Sequence, residues 1–163
     1  MKILLFCLLG LLQPLQAVDS NFKNNIGKLV SGKDTSEQYE NFKRQHIFEN
    51  MDPENCNSVI EDNRIRYPNN KCKQRNTFIS ANEENVKSVC KGQNNNIKGG
   101  VLTVSKGKFD LVVCDILDKN SFYPNCVYKG SNSTNMHIKV SCKGGLPVHY
   151  EGDTTSKEGG DHV

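Results

Sequence analysis

Histidine is the side chain whose ordinary pKa, about 6.5, lets it both take and give a proton near neutrality. This chain has four of them, His46, His137, His149 and His162. A neutral and a protonated imidazole on either side of a phosphodiester can remove the proton from an adjacent hydroxyl and protonate the departing oxygen. RNA supplies that hydroxyl at its own 2′ position, so neither a metal nor a protein nucleophile is required. A lysine nearby would stabilise the charge that builds on the phosphoryl oxygens. Residue types and spacing alone leave open which histidines pair.

The cysteines bear on where such a site would work. Cys7 lies in an apolar opening stretch, and the other six, Cys56, Cys72, Cys90, Cys114, Cys126 and Cys142, are separated by 16, 18, 24, 12 and 16 residues. None of these gaps makes a Cys-x-x-Cys pair, and no two histidines neighbour them at zinc-site spacing. No metal and no cofactor is therefore expected. An even set in an exported chain reads as three disulfides. Export is indicated by Lys2, the apolar run Ile3 to Leu9 and the small-residue exit Leu15-Gln16-Ala17, which together make a signal peptide over 1–17 that is too short to span a bilayer. The expected location is outside the cell, without stable membrane insertion.

The chain carries a formal charge of +3, but unevenly: residues 38–152 sum to +4 and residues 153–163 to −2. Arg64, Arg66, Lys71, Lys73 and Arg75 crowd one acid-free stretch, which reads either as a phosphate-facing patch or as a solvated cationic loop.

Several elements must position these groups. Asp34 and Glu37 imitate a capping box, opening a helix that carries Tyr39, Phe42 and His46 on one face and that Asp52-Pro53 ends or interrupts. A short helix is expected over 57–64, and Ser80 with Glu83 caps a third that carries Val86, Val89 and Cys90. Strand patterns follow at 101–104, 109–117, 127–128, 136–141 and 146–150, with turn signals between them, including one at Gly130 to Asn135. Helices first and antiparallel strands later define an α+β domain. A flexible leader at 18–37 and a disordered acidic tail at 153–163 are expected to flank a domain at 38–152. The sequon Asn132-Ser133-Thr134 falls in the expected turn and offers an optional glycosylation site.

Three separated motifs identify the histidines. They are Phe42-Lys43-Arg44-Gln45-His46, Cys72-Lys73-Gln74-Arg75-Asn76-Thr77-Phe78 and Pro147-Val148-His149-Tyr150. With the cysteine order and Tyr123-Pro124-Asn125-Cys126-Val127-Tyr128, they resemble the pancreatic-type ribonuclease (ribonuclease A) superfamily on its angiogenin-like, three-disulfide side. The resemblance implies three helices on a bent antiparallel sheet, and bridges Cys56–Cys114, Cys72–Cys126 and Cys90–Cys142. It implies His46 as general base, His149 as general acid and Lys73 as the transition-state cation. Gln45, Arg75 and Asn76 would contact substrate, Thr77 would read a pyrimidine edge, and Tyr150 would stand beside the base. His137 is left a structural or peripheral role, and His162 a solvated one.

Departures from the family pattern narrow the expectation. Residues 91–100 lack the extra bridge of four-disulfide members, Glu151 replaces the usual aspartate, and Val113 replaces a polar residue that supports Thr77. The acidic tail would compete with RNA for the basic groove. The expected activity is endonucleolytic cleavage of single-stranded RNA 3′ to pyrimidines through a 2′,3′-cyclic phosphate, by a monomer that a ribonuclease inhibitor protein could control. The alternatives are a signalling factor acting through a cell-surface receptor, or a host-defence protein, each with weak cleavage. Region 64–67 lacks a run of three arginines, and the modest net charge argues against attack on membranes.

Overall fold

The computed structural model describes residues 34–92 and 100–156, so the expected signal peptide, most of the leader, the end of the tail and His162 lie outside the described residues. Helix α1 spans Thr35–His46 and buries Tyr39, Phe42 and His46. Asp34 is its N-cap residue, but through its backbone: its carbonyl accepts from Gln38 N at 3.0 Å, and its side chain makes no capping bond. Thr35 to Glu37, placed in the leader by sequence, therefore already belong to the domain. The helix also stops well before Pro53. Ile47 turns extended and bridges Ile79, while Phe48 N bonds Ile79 O at 3.2 Å, so tertiary pairing ends α1 immediately after His46.

A 3-10 turn, Pro53–Asn55, leads into α2, Cys56–Asp62. The third helix, α3, is Glu83–Lys87 and continues as a 3-10 turn through Cys90. Its cap is Asn82, whose side chain accepts from Asn85 N at 2.9 Å. Ser80, the expected cap, instead accepts from Met51 N at 3.1 Å. Asn82 wins because it stands directly before the first helical residue, where its oxygen reaches a free first-turn amide.

Five strands complete the fold: β1 (Arg75–Ile79), which was not expected and precedes α3, then β2 (Val101–Val104), β3 (Phe109–Ile116), β4 (Tyr128–Lys143) and β5 (Leu146–Thr154). All pair antiparallel in the order β1-β3-β4-β2, with β5 also on β4. The turn expected at 130–135 is absent, because β4 runs straight through it. Its first part pairs with β3, and its second pairs with both β2 and β5. Asn135, at φ 57°, bends the strand where it changes partners, and its amide donates to Asp110 Oδ1 at 3.1 Å. Asn132 consequently lies on an exposed strand position opposite Val112, not in a turn. Gly130 lies so close to the Pro53 backbone that no Cβ would fit, which seats the 3-10 turn against β4. Strand β5 extends to Thr154, so Asp153 and Thr154, assigned to a disordered tail, are ordered parts of the sheet.

Alternating residues of β1 feed two cores. Phe78 joins α2 residues Val59 and Ile60 with Val112 and Tyr128, whereas Ile79 joins Phe42, Val86, Leu111, Ile138 and Val140. Disulfides Cys56–Cys114 and Cys72–Cys126 belong to the first core and Cys90–Cys142 to the second. They join residues 58, 54 and 52 apart. Loop-closure entropy makes each worth about 4 kcal/mol. Among the described residues no helix is long and apolar enough to cross a membrane.

Candidate active site

A cleft of about 830 Å³ opens where α1, β1 and β5 meet. Gln45, His46, Lys73, Arg75, Thr77, Val113, His149, Tyr150, Glu151 and Asp153 are among the residues lining it. Residues distant in sequence are brought together here because β1 and β5 flank the C-terminal end of α1.

His46 is the last residue of α1 and is only 9% exposed. Its Nδ1 lies 2.8 Å from the Thr77 carbonyl, an acceptor, so Nδ1 carries the proton and Nε2 is left with its lone pair. Burial and the Lys73 charge hold its pKa well below the ordinary histidine range, with the His149 charge a lesser cause and the Thr77 bond opposing them. The ring packs against Phe42 at 5.3 Å and stacks on Tyr150 at 5.1 Å. The imidazole is therefore held neutral between two aromatic rings, with its Nε2 lone pair available as an acceptor.

Lys73 sits beside it under a network of short bonds. Its Nζ donates to Gln45 Oε1 at 3.2 Å and to Asn76 Oδ1 at 2.9 Å, while Tyr128 Oη donates to the Lys73 carbonyl at 2.8 Å. Asn76 Nδ2 in turn donates to the Gln45 carbonyl at 2.8 Å. Burial, and secondarily the Arg44 charge, lowers the Lys73 pKa to about 8. Asn76, expected as a substrate contact, is 1% exposed and is not among the residues lining the cleft. Its side chain ties the end of α1 to Lys73.

The opposite wall is open. The His149 side chain is 70% exposed, with Nε2 3.9 Å from Glu151 Oε2. Glu151 is held by Ser141 Oγ, which donates to its Oε1 at 2.6 Å. Tyr150 Oη donates to Asp153 Oδ2 at 2.8 Å, and burial first, then this bond, raises its pKa.

The basic stretch expected to form one patch is divided by the fold. Lys73 and Arg75 line the cleft. Arg75 is engaged there by a two-pronged pair with Asp115, Nε to Oδ1 at 2.6 Å and Nη2 to Oδ2 at 3.0 Å, across the β1–β3 rung. Arg66 instead stacks on Tyr123 at 4.3 Å and bonds Asn70, outside the cleft, as are Arg64 and Lys71. His137 is also elsewhere: it is buried, with Nδ1 2.9 Å from the Ser105 carbonyl, and ties β4 to the segment after β2.

Sequence reasoning missed Asp153 and the way β5 is bent. An unbroken strand would present alternate residues to the cleft, yet residues 148 to 153 all line it. The β4–β5 register shifts twice, between Lys139 and Val140 and between Ser141 and Cys142. These bulges leave Val148 and Glu151 out of register on either side of His149-Tyr150 and re-aim the side chains. Gly152 at φ 141° was the available signal.

The chain is similar to known proteins over this same region. The Pancreatic ribonuclease family matches residues 37–151, and the chain belongs to that family. Danio rerio Ribonuclease-like 3 is 38% identical over 123 residues, covering 70% of this chain and 77% of that protein. Bos taurus Angiogenin-1 is 32% identical over 117 residues, covering 70% and 76%. Among solved structures, a zebrafish RNase5 matches with TM-score 0.63 at 33% identity, covering 72% of this chain and 95% of that one. The fold is thus ribonuclease A-like, and the function is that of a ribonuclease or an angiogenin-like member.

Proposed function

We propose that the protein is a secreted, metal-independent endoribonuclease that cleaves single-stranded RNA on the 3′ side of pyrimidines. The observation that carries this reading is a buried, neutral imidazole, His46, beside the Lys73 ammonium and across one cleft from the exposed His149. His46 Nε2 takes the 2′-hydroxyl proton as O2′ attacks phosphorus. The P–O5′ bond breaks and protonated His149 delivers its proton to O5′, giving a 2′,3′-cyclic phosphate and a 5′-hydroxyl. Lys73, with the Gln45 side-chain amide, stabilises the phosphoryl oxygens. Thr77 and Tyr150 hold the base, the hydroxyl by donating or accepting and the ring by stacking. Arg75, tied to Asp115, contributes field more than direct contact.

The test uses a short pyrimidine-containing RNA with chelator present and no added metal. Wild type cleaves it, and His46→Ala and His149→Ala abolish most of the rate. Equal inactivity of all three proteins would refute the enzymatic reading. Similarity to Angiogenin-1 supports a second reading, an exported signalling factor with weak cleavage, and the same assay separates the two by rate.

A further inference from the structure

We infer that a second cleft, just past the end of β1, is a non-catalytic site for the phosphate backbone of single-stranded RNA, so that a long strand is held at two places. The assignment takes RNA as the ligand from the ribonuclease reading. The cleft has a volume of about 810 Å³, close to that of the catalytic one, and the two share no lining residue. Its walls are the Ser80-Ala81 link, α3 with its 3-10 turn, and the connection from β2 to β3.

Charge sets this cleft apart. Lys91, Lys106 and Lys108 line it against a single carboxylate, Asp110, whose Oδ1 already accepts from Asn135 N at 3.1 Å. Lys43, Lys87 and Arg75 each have a carboxylate partner, whereas among the described residues no hydrogen bond or ion pair engages the three cleft lysines. Like charges gathered without partners repel one another, and an anion spanning them relieves that repulsion. The Ser80 hydroxyl adds a neutral donor: its Oγ accepts from Met51 N at 3.1 Å, which leaves its own proton for a ligand oxygen.

The apolar lining identifies the anion. Val89, Val104 and the half-buried Phe109 line the same cleft. A groove that offers ammonium groups to phosphates and an aromatic side chain to a base suits single-stranded nucleic acid. A sulfated polysaccharide carries comparable charge but no flat apolar ring to set against Phe109 and the two valines. Lysine ammoniums on flexible stems act as point charges without the fork of arginine, so the contact is to backbone phosphates and independent of sequence. No histidine is among the lining residues, and the site holds RNA without cleaving it.

The experiment measures binding of a long, uncleavable single-stranded DNA to the full chain across a salt series, for wild type and for the triple variant Lys91→Gln, Lys106→Gln, Lys108→Gln. All three lysines are exposed, so the variant keeps the core intact. A control triple variant, Lys119→Gln, Lys129→Gln, Lys143→Gln, removes the same charge from positions that line neither cleft. Each phosphate contact contributes about 0.7 to the slope of log affinity against log salt concentration, so the cleft variant should lose about 2 from that slope and the control variant clearly less. The cleft variant should also raise KM for a long RNA while leaving kcat/KM unchanged on a dinucleotide, which reaches only the catalytic cleft. Equal slopes for the cleft variant and wild type, or equal losses in the two triple variants, would overturn the assignment. So would loss of heparin binding with DNA binding intact, which gives the cleft to sulfated sugars. If wild type cleaves no RNA, the ribonuclease reading fails, and the salt series still decides whether the cleft holds single-stranded nucleic acid.

Discussion

The two walls of the cleft are built on opposite principles. On the α1–β1 wall, His46, Lys73 and Asn76 are buried or half-buried and locked by bonds to Thr77, Gln45 and one another. On the β5 wall, His149 is largely solvent-exposed and its only charged neighbour, among the described ion pairs, is Glu151 at 3.9 Å. The proposed roles account for the difference. A base must stay neutral and fixed, which burial enforces, whereas an acid must be able to recharge from solvent after each turnover. The lesson is that activity and stability are coupled on one wall and separable on the other.

The strongest way to break that contrast is to remove each histidine. His46→Ala and His149→Ala should each cost about 10²–10⁴ in kcat/KM. Thermal or denaturant unfolding should separate them. His46→Ala leaves the Thr77 carbonyl unpaired in the interior and should destabilise by about 1–3 kcal/mol, while His149→Ala should stay within about 0.5 kcal/mol. Equal destabilisation would show that the exposed wall is structural as well.

Asn76→Ala should behave like a milder His46 variant. It removes one of the two acceptors of Lys73 and the donor to the Gln45 carbonyl, at about 1–3 kcal/mol, and should lower kcat more than it raises KM. Restoring activity with the smaller hydrogen-bonding side chain of Asn76→Ser would confirm positioning.

The pH dependence sharpens the comparison further. Because the His46 pKa is lowered in the folded state, the unfolded chain binds this proton first. Stability from this group is complete above the unfolded value, about 6.5, and is lost as pH falls below it. A melting series from pH 7 to 4 should therefore slope less in His46→Ala than in wild type. On the alkaline side, Lys73 loses its charge near pH 8, so a rate decline there should weaken in Lys73→Arg, whose guanidinium stays charged.

The smallest effects belong to the open wall and the cleft rim. Glu151→Gln should change kcat by less than about tenfold, because the carboxylate lies at 3.9 Å from His149 and Ser141 still holds the side chain. Breaking the exposed Arg75–Asp115 pair with Arg75→Ala should cost under about 1 kcal/mol in a melt.

Local signals made much of this site legible. The helix face of Tyr39, Phe42 and His46 is the face that is buried, and the expected strands over 101–104 and 109–117 lie within a residue of β2 and β3. Errors arose where distant chain segments set the local structure. The turn residues of 130–135 form a strand because β3 pairs with them, and Ile79 ends α1 by pairing with Ile47. Asn76 carries polar atoms that suit substrate contact equally well; only packing turned both toward protein groups.

Sequence alone determined the cysteine complement and the three motifs that carry His46, Lys73 and His149, because these depend on residue identity, whereas the expectation of helices first and strands later missed β1, which precedes α3. Only the tertiary structure decided that one histidine is dry and the other wet, and that two bulges bring residues 148 to 153 into the cleft, Asp153 among them. Burial and register depend on which strands meet, and a linear pattern with period two does not record where that period is broken.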